Sequence, residues 1–301
     1  MSKLISDKYE QWKKEIMKKE KVFGSQFIID IDQNDSALYA CQENGKARNT
    51  LSHYTTAEVL KKIFTNKMLK FNRIDKVNDR LESELFGNDE ISHLVYVSCF
   101  THDDYESVPM WMIYGKKEQS VRLTFELCEN DFAKHFIDDQ ENIISPTDDK
   151  IIPYEKKGHP NVDWYCTYTV KDILYDTKEI PENHIQYICQ ESPSTNKEMY
   201  NLTAMGSIKL EAWKYEQETR LITYLRTTAD TQSVTIPDVD FLFVPINFNK
   251  LKSITVIFSP WMDSSTKADI KLFMAKMAKT ELTGIDIKFK DSVLTGKTNL
   301  G

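Results

Sequence analysis

Apolar and polar positions recur along the chain with spacings that predict short elements. Near the start, Ile5, Tyr9, Trp12 and Ile16 step by four, three and four through a lysine- and glutamate-rich run, which predicts an amphipathic helix over 3–21. Residues 29–50 are polar and turn-rich and read as a linker or irregular segment. Regular structure begins at Leu51. A short strand at 51–54 leads into a helix at 57–64, capped by Thr55 or Thr56 and carrying Glu58 in its first turn. An extended piece follows at 68–71, then a strand at 91–101, helical turns at 108–114 with Pro109 near their start, and a strand at 120–127. The stretch 131–200 is rich in turn residues, with a strand at 162–175 and helical stretches near 182–190 and 195–212. Strands at 216–225, 241–246 and 253–258, a helix at 264–279 and a strand at 285–290 complete the pattern.

Strands and helices mix here without regular βαβ alternation. That predicts an α+β fold with a mixed or mainly antiparallel sheet and helices around it. Residues 1–50 form an N-terminal helix and linker, and 51–301 a single domain with an insertion near 131–200.

Glycine changes this picture most. The 301 residues contain only 9 glycines, and no two are spaced to build G-x-G-x-x-G or G-x-x-x-x-G-K. A Rossmann dinucleotide site and a P-loop are therefore not expected, and a bound nucleotide would have to be held by side chains. The five cysteines are odd in number and form no C-x-x-C, and no H-E-x-x-H occurs, so no metal ligand set is assigned. Reduced thiols and no signal peptide predict a cytoplasmic protein, and no apolar run approaches a membrane span. The net charge of −7 argues against a broad, static nucleic-acid surface, though not against brief contact.

Four clusters carry candidate chemistry. His53-Tyr54-Thr55 sits where an early strand turns out of the sheet, a position that backbone hydrogen bonds alone would also explain. Arg73 precedes, and Arg80 lies within, an N-D-x-x-E stretch (Asn78, Asp79, Glu82), and either arginine has the donor fork for a phosphate. Ser98 precedes Cys99, which its apolar neighbours make a buried thiol. Trp111 and Tyr114 share a helix face, as a core pair or as an aromatic wall for a flat ring. Glu216, Glu218 and Arg220 alternate on a predicted strand and so face one way, as a solvent salt-bridge row or as carboxylates placed to steady a developing cation.

The order of these clusters resembles a widespread bacterial family of uncharacterised domains. The pattern is H-Y-T, N-D-x-x-E, V-S-C-F with M-W-x-x-Y, then W-x-x-E-x-E-x-R, over about residues 51–292. The layout is also similar to the ADP-ribosyltransferase superfold, whose members bind NAD in the cleft of a split mixed sheet. That resemblance implies NAD as co-substrate, contacted by His53, and Glu218 as the catalytic carboxylate with Glu216 beside it. It matches Ser98 to the second-strand hydroxyl, and a stacking aromatic to Tyr114, with Tyr54 and Trp111 as rivals. Thr55 and Arg220 join this cofactor-binding set; Arg73 and Arg80 match no fixed motif position and are candidates for the pyrophosphate by their donor forks alone. The spacing from Ser98 to Glu218 is longer than the family pattern, hence the insertion.

The activity so implied is mono-ADP-ribosylation of a macromolecule, nucleic acid or protein, by a toxin or phage-defence effector that an antitoxin or regulatory protein would control. The cleavage passes through an oxocarbenium-like state, as in glycoside hydrolysis. The alternatives are a non-catalytic module sensing a nucleotide or a phage protein, and an NAD glycohydrolase or nuclease. For a metal-dependent nuclease, Asp79, Glu82 and Glu84 would be the ligands.

Overall fold

A computed structural model describes residues 36–79, 82, 92–138, 143–144, 151–152, 164–176, 189–191, 198–200, 205–227 and 239–298. The predicted helix at 3–21 lies outside these residues.

The fold is α+β, with a mostly antiparallel open sheet flanked by helices. Its elements in chain order are α1 (Ser36–Lys46), β1 (Thr50–Thr56), α2 (Ala57–Asn66), β2 (Met68–Arg73), β3 (Val95–Thr101), α3 (Val108–Gly115), β4 (Ser120–Leu127) and the single turn α4 (Phe132–His135). Then come β5 (Ile143–Ile144), β6 (Ile151–Ile152), β7 (Trp164–Asp172), β8 (Leu174–Asp176), β9 (Cys189–Glu191), β10 (Glu198–Tyr200), β11 (Ile208–Leu210) and β12 (Glu218–Thr227). The last are β13 (Phe241–Pro245), β14 (Leu251–Phe258), α5 (Ser264–Ala278) and β15 (Asp286–Asp291).

Pairing gives the main sheet the form of a stem with two arms. β7, β12 and β3 make the stem, and β12 runs along the whole length of β3. The other edge of β3 is shared. β1 meets it only through Ser52 and Thr101, and β2 only through Asn72–Val97 and Arg73–Tyr96. One arm continues as β1–β4–β14–β15 and the other as β2–β13–β5–β6. Of the pairs in this sheet only β14–β15 is parallel. Between the arms, residues 98–100 have no strand partner on that edge among the described residues.

Alternation decides what each face of the sheet buries. Leu51, Leu123, Phe100, Phe125 and Leu221 turn into one large core with Phe64, Phe132, Phe136 and Ile270. The helices α2 and α5 cover that face. Tyr54 points the other way and packs with Met110 and Trp111 of α3. Phe100 touches Phe125, Phe132 and Phe136 at 6.1–6.5 Å between ring centres. Each such fully buried ring contributes roughly 1.5–3 kcal/mol over an exposed one.

Several predicted elements need correction. The stretch read as irregular contains α1, whose Gly45 lies so close to β7 that a Cβ there would sit 2.7 Å from the Val170 carbonyl oxygen. Of the helical stretches predicted near 182–190 and 195–212, residues 182–188, 195–197 and 201–204 lie outside the described residues, and the described ones include the antiparallel pair β9–β10 and the strand β11. Glu216 is not in a strand: it ends a 3-10 turn over Glu211–Glu216, and β12 starts at Glu218 after Gln217 takes a left-handed φ of 41°. Thr56 rather than Thr55 caps α2, its Oγ1 accepting the Val59 N–H at 3.2 Å. No helix among the described residues is long and apolar enough to cross a membrane.

Candidate functional site

The gap between the two arms opens into a cleft of about 230 Å³ over the C-terminal half of β3. β1 lines it with Ser52, His53 and Tyr54, β3 with Ser98, Cys99, Phe100 and Thr101, and α3 with Met110 and Tyr114. Lys209, Glu216, Glu218 and Arg220 close one side. Lys70, Asn72, Lys76 and Asn78 close the other.

The split explains the histidine. With no described strand on the open edge of residues 98–100, the Cys99 carbonyl needs another donor, and His53 Nδ1 supplies it at 2.8 Å. A carbonyl only accepts, so Nδ1 carries the proton and Nε2 is left as an acceptor. Burial pushes the His53 pKa down, with the hydrogen bond to Cys99 opposing. The ring is therefore neutral at physiological pH. Its neighbour Ser98 is 3% exposed, and its hydroxyl has no hydrogen-bond partner among the described residues.

Three carboxylates and two cations form the acidic side. Arg220 is completely buried and uses all five of its N–H donors. Nε bonds to Glu218 Oε1 at 2.7 Å, Nη2 to Glu218 Oε2 at 3.1 Å and to Glu82 Oε1 at 2.8 Å, and Nη1 to Glu82 Oε2 and, at 2.8 Å, to the Gly206 carbonyl. Lys209 Nζ lies 2.6 Å from Glu216 Oε2, 2.8 Å from Glu218 Oε2 and 3.7 Å from Glu82 Oε1. The Tyr114 hydroxyl donates to Glu216 Oε1.

These contacts set the charges. Burial pushes the Glu218 carboxyl up, but Arg220 and Lys209 more than reverse this and hold it well below the usual carboxylate range. Burial alone would lower the Lys209 pKa, but Glu218 and Glu82 raise it instead, so Lys209 stays an ammonium. Burial and then the Glu218 charge push Glu216 up against the pull of Lys209. Burial likewise raises Glu82, with Arg220 opposing. Burial and the nearby Glu218 raise the Cys99 thiol well above its ordinary value, which keeps it protonated and inert.

The expected site residues divide accordingly. His53, Tyr54, Ser98, Tyr114, Glu216, Glu218 and Arg220 all border the cleft. Arg220 has no donor left for a ligand, so it positions Glu218 instead. Tyr54 packs edge-on against Trp111, with ring centres 4.8 Å apart, and its hydroxyl accepts the Ser107 N–H. Tyr54 and Tyr114 thus both line the cleft, the Tyr54 ring held against Trp111 and the Tyr114 hydroxyl against Glu216. Trp111 is fully buried, its Nε1–H held by Glu106 at 3.1 Å, and does not border the cleft. Thr55 is buried in β1 opposite Val121. Arg73 turns into the core side of β2, where Asp75 accepts from Nε at 2.6 Å and from Nη2 at 2.9 Å, so it is no phosphate clamp. Arg80 and Glu84 lie outside the described residues. Among the described residues no three His, Cys, Asp or Glu side chains are grouped to hold a metal ion. Glu82 is committed to Arg220.

The sequence pattern does not single out Lys209, Lys70 or Lys76, and offers Glu82 only as a metal ligand. Lys209 does carry a signal, as a single charge between Ile208 and Leu210 in a buried strand. Lys70 and Lys76 look like any surface lysine.

A family model described as a protein of unknown function (DUF2971) matches residues 110–221. This agrees with the uncharacterised bacterial domain that the motif order resembles. The matched span carries Tyr114, Lys209, Glu216, Glu218 and Arg220, and leaves His53 and Glu82 outside. Neither the curated proteins nor the solved structures compared with this chain gave a match.

Proposed function

We propose that this chain is an NAD-dependent mono-ADP-ribosyltransferase acting on a macromolecule. The observation that carries the reading is that His53, Ser98, Tyr114 and Glu218, spread over 165 residues (218 − 53), border one cleft at a split in the sheet. NAD supplies a ribose whose bond to nicotinamide is already activated. The chain's own groups then have distinct tasks. Glu218, ionised and fixed by Arg220, accepts a hydrogen bond from a ribose hydroxyl and stabilises the positive charge that builds on the sugar. Tyr114 stands at the cleft wall, and His53 Nε2 supplies a polar contact at its floor. Glu216 has a raised pKa and holds the Tyr114 hydroxyl, so it is the carboxylate suited to receive the acceptor's proton.

One observation favours a second reading. Both oxygens of Glu218 are already engaged by cations, which fits a rigid nucleotide-sensing module as well as an enzyme. Nicotinamide release and macromolecule labelling, measured with wild type and Glu218→Gln, separate the two. The transferase reading expects a loss of at least about 100-fold, of the size seen when one electrostatic stabiliser is removed. NAD that binds without turnover would support the sensing module. If NAD neither binds nor is consumed, both NAD-based readings fail.

A further inference from the structure

The helix α3 carries no charged residue, and its sequence VPMWMIYG is apolar on every side. A helix packed on one face alone ordinarily turns polar residues outward. Here Met110 and Trp111 are buried against Tyr54 of the sheet. Pro109, Met112 and Ile113, at i, i+3 and i+4, share the outer side and are exposed, Met112 by 42% and Ile113 by 48%. The apolar surface continues past the helix. Tyr105 lies in the loop before it, and the Val293 N–H donates to the next residue of that loop, Glu106, at 2.9 Å. Both side chains are well exposed. Tyr105, Met112, Ile113 and Val293 make up four of the six large apolar side chains exposed among the described residues. Gathered on and beside one short helix, they mark a surface built to be covered.

Charge gives that surface a direction. Asp103 and Asp104 precede α3, in a loop that the buried Arg122 holds through the carbonyls of Asp103, Asp104 and Tyr105. Lys116 and Lys117 follow it, with Lys117 Nζ 3.7 Å from Glu118. Residues 3–21, outside the described residues, are the complement in sequence. Their stripe is Ile5, Tyr9, Trp12 and Ile16, and residues 13–21 hold five lysines against two glutamates. Residues 3–10 hold two lysines and two carboxylates, Asp7 and Glu10. Reach allows the match. Residues 22–35 lead to α1, and fully extended they span at most about 46–50 Å. α1 packs on β7 and α3 on β1. Three strand spacings of about 4.8 Å separate β7 from the point where β1 meets β3.

We propose that the outer face of α3 is the docking surface for residues 3–21 of the same chain. They lie along it as an amphipathic helix, antiparallel to α3, with Trp12 and its stripe against Pro109, Met112 and Ile113. The lysines of 13–21 then meet Asp103 and Asp104, and Asp7 and Glu10 meet Lys116 and Lys117. α3 also brings Met110 and Tyr114 to the cleft, so the docked helix braces the back of that wall. The inference does not depend on what the cleft binds.

The test is amide hydrogen exchange of the full chain by mass spectrometry, for wild type, Met112→Gln/Ile113→Gln, Trp12→Ser, and Leu272→Gln as a control at an exposed apolar position on α5. Glutamine keeps the helix propensity of α3. In wild type, residues 3–21 should exchange at least about tenfold more slowly than an unstructured chain. The α3 double variant should lose that protection while β1 and β3 keep theirs, and Leu272→Gln should change nothing. Trp12→Ser should speed exchange across 108–115, which decides the matter even if the double variant fails to fold. The proposal is overturned if residues 3–21 of wild type exchange as an unstructured chain, if the folded double variant protects them as wild type does, or if Trp12→Ser leaves 108–115 unchanged. Protection that grows with protein concentration, together with a dimer in light scattering, would assign the face to a second copy and overturn it as well.

Discussion

Arg220 and Glu82 stand 138 residues apart in the chain and meet in a two-point ion pair sealed from solvent. The pair joins the N-D-x-x-E stretch to the start of β12, and so fixes one wall of the cleft to its floor. A buried pair of this kind is costly to break from one side, because the surviving charge is left without compensation. Glu82→Gln should therefore cost about 3–5 kcal/mol in urea denaturation. The double variant Glu82→Gln/Arg220→Met should cost less than the two single changes added together. A Glu82→Gln cost under about 1 kcal/mol would remove the pair from any structural role.

Gly206 occupies a position where a side chain would be both strained and crowded. Its φ is +71°, and its carbonyl accepts from Arg220 Nη1 at 2.8 Å. A Cβ there would approach Ile74 Cδ1 to 3.0 Å and Arg220 Nη1 to 3.4 Å. Gly206→Ala should lose about 1–3 kcal/mol from backbone strain, before any loss from a displaced Arg220. Gly284, also at positive φ but with nothing within 4 Å of its Cβ position, provides the comparison. Its alanine variant carries the strain alone. Equal melting temperatures for the two variants would show that crowding at Arg220 plays no part.

How far the sequence exposed all this follows from the range of each interaction. The strand at β12 was legible because Leu221, Thr223 and Leu225 alternate with neighbours over several residues. The divergence of the two arms was expected only through the family resemblance, since pairing of β1 and β2 with opposite ends of β3 leaves no local pattern. The α1 helix was read as irregular because SALYACQENGK has little apolar periodicity and a glycine near its end. That glycine in fact permits close approach to β7. Glu82 and Lys209 escaped because their meaning lies in carboxylates and guanidinium groups brought in from elsewhere. The turn before Glu218 was missed because Glu216-Gln217-Glu218 alternates as well in a strand as across a left-handed residue.

His53 makes stability depend on pH. Burial depresses its folded pKa below the usual 6.5, so on acidification the unfolded chain binds a proton before the folded one does. Stability is therefore unaffected by His53 well above pH 6.5 and falls as pH drops below it, until the folded pKa is passed. His102 is lowered too, by burial against the pull of Asp172, and adds a loss of the same sign. Melting curves from pH 7.5 to 5 should show this decline in wild type, and a shallower one in His53→Gln, which retains only the His102 share. Parallel slopes for the two proteins would mean that His53 is not buried as a neutral ring.

Lys209 offers the sharpest check on the charge balance of the site. Two carboxylates lie within 2.8 Å of its Nζ and a third at 3.7 Å, all buried. Lys209→Met keeps the volume of the side chain but leaves Glu82, Glu216 and Glu218 facing Arg220 alone. At pH 7 the cost should be about 3–5 kcal/mol, as for other buried pairs broken from one side. The carboxylates freed from Lys209 would then have folded pKa values raised above the unfolded ones, so the folded variant takes up protons more readily than its unfolded chain. Stability from such groups is present at low pH and lost as pH rises. The deficit of Lys209→Met against wild type should accordingly shrink from pH 7 to pH 5, by up to about 1.4 kcal/mol per pH unit for each extra proton held. A deficit that stays constant, or grows, over that range would mean that the lysine contributes packing rather than charge.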